Sequence, residues 1–314
     1  MFDVITIGSA TIDVFVNTSY KLFSKKQHSI NLPLGTKILV DDIKFCTGGG
    51  STNAAVALKR LGLKTACIAK IGTDENSHHI PNELKKEKVT SYLVKEKGKT
   101  GYSIILDAVG KDRTILFHQG VNNKLKYNEI KKNIKTKWFY FSSMVDESYK
   151  TLEKLSDYAK KNNIKIFFNP SSYLVKKGYN YLKKILKNTD IMILNKEEAK
   201  ILTKKKTVND MLKTIHNYGI KIVCITDGEN GNWAYDGKRH YRLKAGRPKV
   251  VETVGAGDAF ASGFLASIIK KNNIELALKV GRANAESVIQ HYGAKNNLLS
   301  WNKAISKIKK MRVK

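Results

Sequence analysis

The chain has 314 residues, 42% of them apolar, enough to bury a sizeable core, and no apolar run of about 18 residues that would cross a bilayer. Lys plus Arg number 57 against 27 Asp plus Glu, a formal charge of +30. The lysines are scattered in stretches such as "KKNIKTK" and "LKKILKN" and not gathered into a basic tail. They read as solvated helix faces, which argues against a dedicated nucleic-acid surface, although the positive field favours anionic ligands such as nucleotides. Cys46, Cys67 and Cys224 lie far apart with no CxxC spacing, so neither a disulfide framework nor a cysteine metal cluster is expected. The opening "MFDVITIGSA" has no basic segment ahead of an apolar one, so the expectation is a cytoplasmic protein without a signal peptide.

"DVITIG" reads as a short buried strand ending at Gly8, and "KILVDDIKF" as a strand with one exposed face. "STNAAVALKRLG" has helical spacing, with Ser51 or Thr52 as N-cap and Gly62 as stop. "TACIAKIG" is another strand. In "TSYLVKEKGKTGYSIILDAVGKDRTILFHQG" the turns Lys97-Gly98 and Val109-Gly110 separate alternating runs, predicting hairpins. From about residue 137 the apolar runs "WFYFSS", "KIFFNP", "DIMILN" and "KIVCITDG" alternate with lysine-rich amphipathic helices. That rhythm predicts a parallel sheet covered by helices, with ligands beyond the carboxyl ends of its strands.

Two glycine-rich loops stand out. "VETVGAGDAF" leads from a short extended segment into a helix. Gly255, Ala256 and Gly257 let a ligand approach the backbone, and the amides of the new helix make an anion site. Asp258 beside them has two readings: a base accepting a proton from a hydroxyl that attacks phosphate, or a plain helix N-cap. In "TGGGSTN", Gly48, Gly49 and Gly50 precede another helix, and the Asn53 amide suits sugar hydroxyls; the Lys-Ser/Thr of a Walker loop is missing. His78-His79 is adjacent in sequence, so the two rings diverge and read as surface histidines, not as a metal pair.

Together these motifs resemble the signatures of the PfkB/ribokinase family of carbohydrate kinases. "ETVGAGD" matches the Asp-Thr-x-Gly-Ala-Gly-Asp signature except that Glu252 replaces the first aspartate. "GSATID" resembles the first-strand motif ending at Asp13, "NKEEAKILT" the Asn-x-x-Glu motif, and "ITDGENGNW" the Thr-x-Gly-x-x-Gly turn beside the nucleotide. The resemblance covers about residues 3 to 300. It implies a single ribokinase-like α/β domain over 1–314, a doubly wound parallel sheet with helices on both faces. A small β-sheet lid from about 13–47 and 90–120, of a kind that often pairs two subunits, completes the expectation.

It also implies an ATP-dependent kinase using Mg²⁺, with Asp258 as general base and the Gly255–Gly257 loop as anion hole. Asp13, Gly48, Gly49 and Asn53 would bind the acceptor. Asn195, Thr226, Gly228, Gly231 and Asn284 would line the nucleotide, and Glu198 would hold Mg²⁺ through water. Glu252 stands where some relatives bind an activating monovalent cation, leaving K⁺ as a candidate. Gly50 replaces the lysine of ribokinases proper. Gly101 stands where relatives acting on sugar phosphates often have Thr-Arg, which favours a neutral sugar, although Lys99 and Arg113 keep an anionic acceptor open. A nucleoside stacked on Phe15, Phe117 or His118 is the rival acceptor, and a non-catalytic nucleotide- or nucleic-acid-binding protein the alternative class.

Overall fold

The computed structural model describes residues 1–18, 23–24, 29–30, 32–107, 113–130 and 134–313, with the backbone alone at 23–24, 29–30, 107 and 113. Several sequence expectations (lid residues 19–22, 25–28 and 31, the Val109-Gly110 turn and the Arg113 side chain) therefore lie outside the described residues.

The strands are β1 (Phe2–Ile7), β2 (Thr11–Asn17), β3 (Phe23–Ser24), β4 (Ser29–Ile30), β5 (Asp42–Gly48), β6 (Thr65–Ile71), β7 (Thr90–Lys95) and β8 (Gly101–Asp107). They continue with β9 (Arg113–His118), β10 (Thr136–Ser142), β11 (Lys165–Asn169), β12 (Ile191–Asn195), β13 (Ile222–Thr226), β14 (Asn232–Tyr235) and β15 (His240–Leu243). Among the described residues the helices are α1 (Gly50–Arg60), α2 (His79–Lys86), α3 (Asp146–Lys161), α4 (Ser172–Val175), α5 (Tyr179–Leu186), α6 (Lys196–Thr203) and α7 (Val208–His216). α8 (Ala256–Lys271), α9 (Ile274–Val288) and α10 (Trp301–Lys307) complete them.

A nine-stranded sheet runs β15-β14-β13-β12-β11-β10-β1-β6-β7. Pairing is parallel from β7 across to β13, then antiparallel through β14 and β15, so the expected parallel sheet carries an antiparallel edge. Its central strands are buried on both faces, which is why they read as continuous apolar runs. In β10, Phe139 and Phe141 enter the layer packed by α3 to α7, while Trp138 and Tyr140 enter the layer of α1, α8, α9 and α10. Each such buried aromatic contributes on the order of 2–3 kcal/mol, so both helical layers are anchored on the sheet's middle.

A separate four-stranded sheet has the order β5-β2-β8-β9. The stretch 90–120, expected to enter the small sheet as one piece, divides. β7 pairs with β6 in the large sheet, and only β8 and β9 join the small one. The Lys97-Gly98 turn accordingly connects two sheets and is not a hairpin. Cross-strand register aligns Cys46, Asp13, Ser103 and Phe117 in one row across the small sheet.

Candidate active site

The carboxyl ends of the central strands lie side by side: Ser142 pairs with Asn169, and Asn195 with Thr226. Small polar residues at these ends, with the starts of α1 and α8, line one edge of the large sheet. Asp13 of the small sheet lies near enough to Asp258, at the start of α8, for their charges to interact.

Asp13 is 4% exposed and accepts a bond from Thr11 Oγ1 at 2.8 Å and another from Ser103. Burial pushes its carboxyl above the ordinary carboxylate range, against those hydroxyls and the nearby Lys295. It rests where Gly48 lacks a side chain: a Cβ there would stand 1.9 Å from Asp13 Oδ2. Gly49 has φ 96° and caps α1, so neither Ser51 nor Thr52 is the N-cap. Their hydroxyls donate instead to Ser9 O and Gly48 O, stapling the loop to β1 and β5.

α8 begins after Gly255, whose φ of 80° and close contact with Ala294 leave no room for a side chain. Asp258 makes no capping bond, so the N-cap reading fails. Its Oδ2 instead accepts from Asn53 Nδ2 at 2.9 Å, joining the two glycine loops. Burial pushes Asp258 up to about 6; Asn53 and Lys295 oppose the shift and the charge of Asp13 adds to it. The Ala256 amide, expected in the anion hole, is turned inward to Thr253 O at 3.2 Å. Gly257 and Asp258 keep first-turn amides with no acceptor inside the helix, and beside Gly257 there is open space within 4 Å.

Two buried polar atoms next to this pair have no partner: Asn53 Oδ1 and Ser142 Oγ. Ser142 sits between Gly8 and Gly50, where added Cβ atoms would come within 1.9 and 2.7 Å of its Oγ. Buried orphans cost about 1–3 kcal/mol each, and a hydroxyl-bearing ligand would satisfy both.

Asn195 and Glu198 form a capping box at α6: Glu198 N donates to Asn195 Oδ1 at 2.8 Å, and Asn195 N to Glu198 Oε2 at 3.0 Å. Burial pushes Glu198 up to about 7, with amides of Asn195 and Ser172 opposing and Asp258 adding to the rise. The carboxylate is thus braced from its own helix while sharing the field of Asp258, an arrangement compatible with reaching a hydrated cation through water. No cluster of three His, Cys, Asp or Glu side chains suited to direct coordination occurs among the described residues.

Other assignments change. Asn284, expected near the nucleotide, is fully buried, donating to Ala259 O at 2.8 Å and accepting from Leu299 N at 3.0 Å. It ties α9 to α8, with both ends of its amide committed. Gly231 serves the β13–β14 turn, where a side chain would strike Leu243 O at 2.5 Å. Gly228, at φ 47°, has open space beside it, and Thr226 ends β13 on the ligand edge. Glu252 is buried, and its Oε1 accepts from Thr253 and Val254 amides at 2.6 and 2.8 Å, bracing the anion loop from behind. The His78 and His79 rings, expected to diverge, instead lie 4.1 Å apart at a 36° tilt, because both sit at the start of α2; no group of three metal-ligating side chains occurs among the described residues.

Ser9, Ser103, Ser142 and Tyr173 escaped the sequence reading. The signal for two of them was present, as small polar residues immediately past apolar strands in "TIGSA" and "FYFSS". Tyr173 bonds Ser171, Ser143 and Gln119, and its ring faces Phe117 of the small sheet at 6.5 Å with 22° between planes.

Comparison with known proteins identifies the family and the fold. Residues 1–301 match the pfkB family carbohydrate kinase pattern. An uncharacterized sugar kinase of Archaeoglobus fulgidus is 32% identical over 77% of this chain and 98% of its own length. The nucleoside kinase of Methanocaldococcus jannaschii shares the fold at TM-score 0.80 and 23% identity, over 98% of both chains. A ribokinase II from E. coli, solved with ATP and Mg²⁺, does so at 0.83 and 18%, over 98% of this chain and 99% of its own. A doubly wound sheet with a second small sheet, paired glycine loops and a helix-start aspartate thus come together in a chain that belongs to the pfkB family of carbohydrate kinases.

Proposed function

We propose that this kinase transfers the γ-phosphoryl group of ATP to a hydroxyl of a small neutral sugar. The observation that carries the reading is the Asn53–Asp258 bond beside two orphaned buried acceptors and first-turn amides. Asp13, with Thr11 and Ser103, orients the acceptor, and Asn53 Oδ1 and Ser142 Oγ take further hydroxyls. Asp258, its Oδ2 fixed by Asn53, receives the acceptor proton on Oδ1 as the new O–P bond forms and the bond to ADP breaks. The amides of Gly257 and Asp258 offset charge on the transferring group. Mg²⁺, when bound, neutralises phosphate charge, and Glu198, backed by Asn195, is the residue suited to hold it through water. Thr226 and Gly228 would flank the triphosphate. K⁺ activation remains an expectation with less support, because Glu252 spends Oε1 on its own loop.

A neutral acceptor is favoured because the space beside Gly101 is filled by Asn122, 2.1 Å from any added Cβ, so no cationic side chain fits there. Lys99 lines a cavity of about 380 Å³ with Asp74, Tyr102 and His118. Tyr102 and His118 pair on the small-sheet face opposite Asp13. A nucleoside is the second reading, favoured by the facing rings of Phe117 and Tyr173. Phe15 is fully buried against Tyr292 and offers no stacking face.

Closure of the small sheet would exclude water from the reaction. The opposite face exposes Phe45, Ile104 and Leu116 in one register row, supporting a homodimer through the lids.

The test is ADP release from MgATP across neutral sugars, sugar acids, sugar phosphates and nucleosides. Asp258→Asn serves as the control and is expected to lose about 10²–10⁴-fold in kcat. An Asp258→Asn protein with normal turnover would sink the assignment.

A further inference from the structure

The loop after α9 brings three consecutive residues against both halves of the site. A side chain at Gly293 would stand 3.2 Å from Cys46 Sγ, in the strand row of Asp13. Ala294 packs on Gly255, where an added Cβ would come within 2.4 Å of the alanine methyl. Lys295 is 5% exposed, and its ammonium donates to Thr47 O at 2.8 Å, Thr47 Oγ1 at 2.7 Å and Glu83 Oε2 at 2.8 Å. Thr47 Oγ1 also bonds Glu83. The carbonyl of Lys295 accepts from Arg60 Nη1 at 2.9 Å, while the rest of that guanidinium forks onto Glu87.

Beside the ammonium lies a cavity of about 460 Å³, lined in part by Thr47, Arg60, Glu83, Glu87 and Asn296. Across this cavity the lysine ties the end of β5 to Glu83 of α2. A buried ammonium with three acceptors is a directional tie, and removing it leaves Glu83 and the Thr47 carbonyl uncompensated.

We propose that Lys295 is a positioning residue for phosphoryl transfer. It fixes the end of β5, and so Gly48 and the Asp13 carboxylate resting on it, relative to Asp258 at the start of α8. The same charge lies near enough to Asp13 and Asp258 to oppose the rise that burial imposes on both. The assignment rests on the proposed roles of Asp13 and Asp258.

The experiment uses the full chain with the acceptor found in the panel above, comparing wild type with Lys295→Met, Lys295→Arg and Thr47→Val. Each variant is followed by kcat, by KM for acceptor and for MgATP, by the acid limb of kcat/KM and by thermal melting. Lys295→Met is expected to lose about 10–10²-fold in kcat/KM for the acceptor, as for an ångström-scale misplacement, with KM for MgATP little changed. Its acid limb moves to higher pH, because Asp258 loses a nearby cation while Asp13, Glu198, Tyr140 and Tyr173 remain around it. Lys295→Arg restores the limb and part of the rate. Thr47→Val, which removes a single acceptor, shows a smaller loss of the same kind and decides the matter if Lys295→Met does not fold. A folded Lys295→Met or Thr47→Val with wild-type acceptor kinetics and an unmoved acid limb overturns the proposal, while the kinase reading stands. A full-rate Asp258→Asn would instead remove the reading beneath it.

Discussion

Replacing Gly257 by Ala separates a catalytic glycine from a merely helical one, because the two roles predict opposite signs. Gly257 is the second residue of α8, exposed, and an added methyl would meet no protein atom within 4 Å. For folding alone the change is therefore favourable: alanine gains about 0.5–1 kcal/mol over glycine in a helix, less in the first turn. In a chain of this size that is a rise of about 1–2 °C in Tm. On the anion-hole reading the same methyl crowds the approach to the first-turn amides, where a phosphoryl oxygen would have to come within about 2.9 Å of an N–H. Blocking that approach should cost about as much as losing an oxyanion donor, 10²–10³ in kcat. Coupled ADP release and a thermal melt on the same preparation give both numbers. A Gly257→Ala protein that melts at or above the wild-type temperature and turns over within about threefold of it refutes the anion-hole assignment. Gly255→Ala would not be informative, since its positive φ and the contact with Ala294 make misfolding the first outcome.

Gly48→Ala should act through Asp13. The new Cβ would stand 1.9 Å from Oδ2, so the carboxylate must move by more than about 1 Å, and kcat/KM for the acceptor should fall about 10²-fold while KM for MgATP holds. Retained acceptor kinetics would free Asp13 from its role. The pH profile of kcat/KM should show an acid limb near 6, where Asp258 ionises. An inflection near 4 would contradict the burial argument. Raised above its ordinary 3.8, this carboxyl favours folding below that value and forfeits the benefit as pH rises through about 6. Asp258→Asn should accordingly turn over slowly yet be more stable at pH 8, by at most about 3 kcal/mol, with no gain at pH 3; equal melting at pH 8 would count against it. A Phe45→Lys, Leu116→Lys double variant should shift a dimeric wild type toward monomer in light scattering, and an unchanged mass would exclude lid-to-lid pairing.

The strands of the large sheet were readable because burial on both faces leaves a plain apolar run, as in "WFYFSS". "TSYLVK" was misassigned for a physical reason: alternation reports one covered face but not which sheet supplies the cover. The paired glycine loops and Asp258 were visible because backbone approach demands glycine whatever the fold. Asn284 was misread because a polar residue in an apolar helix has the same sequence signature whether it meets a ligand or, as here, Ala259 O and Leu299 N. Ser142 carried only the weak signal of a polar residue ending an apolar strand, and Lys295 had no local signal. The first matters because Gly8 and Gly50 close around it, the second because Thr47 and Glu83 face it, and only the folded chain sets those neighbours together.

The parallel register of β2 with β8 joins two stretches between which the chain builds β5, α1, β6, α2 and β7. Closing the small sheet therefore encloses a long loop of chain that includes β6 and β7, which pair beside β1 in the large sheet. Both sheets thus depend on long-range parallel pairing, β1 with β10 in the large sheet and β2 with β8 in the small one, the kind that is slow to form. β9 forms one edge of that sheet, so its outward amides should exchange with solvent before those of β8, which is paired on both sides.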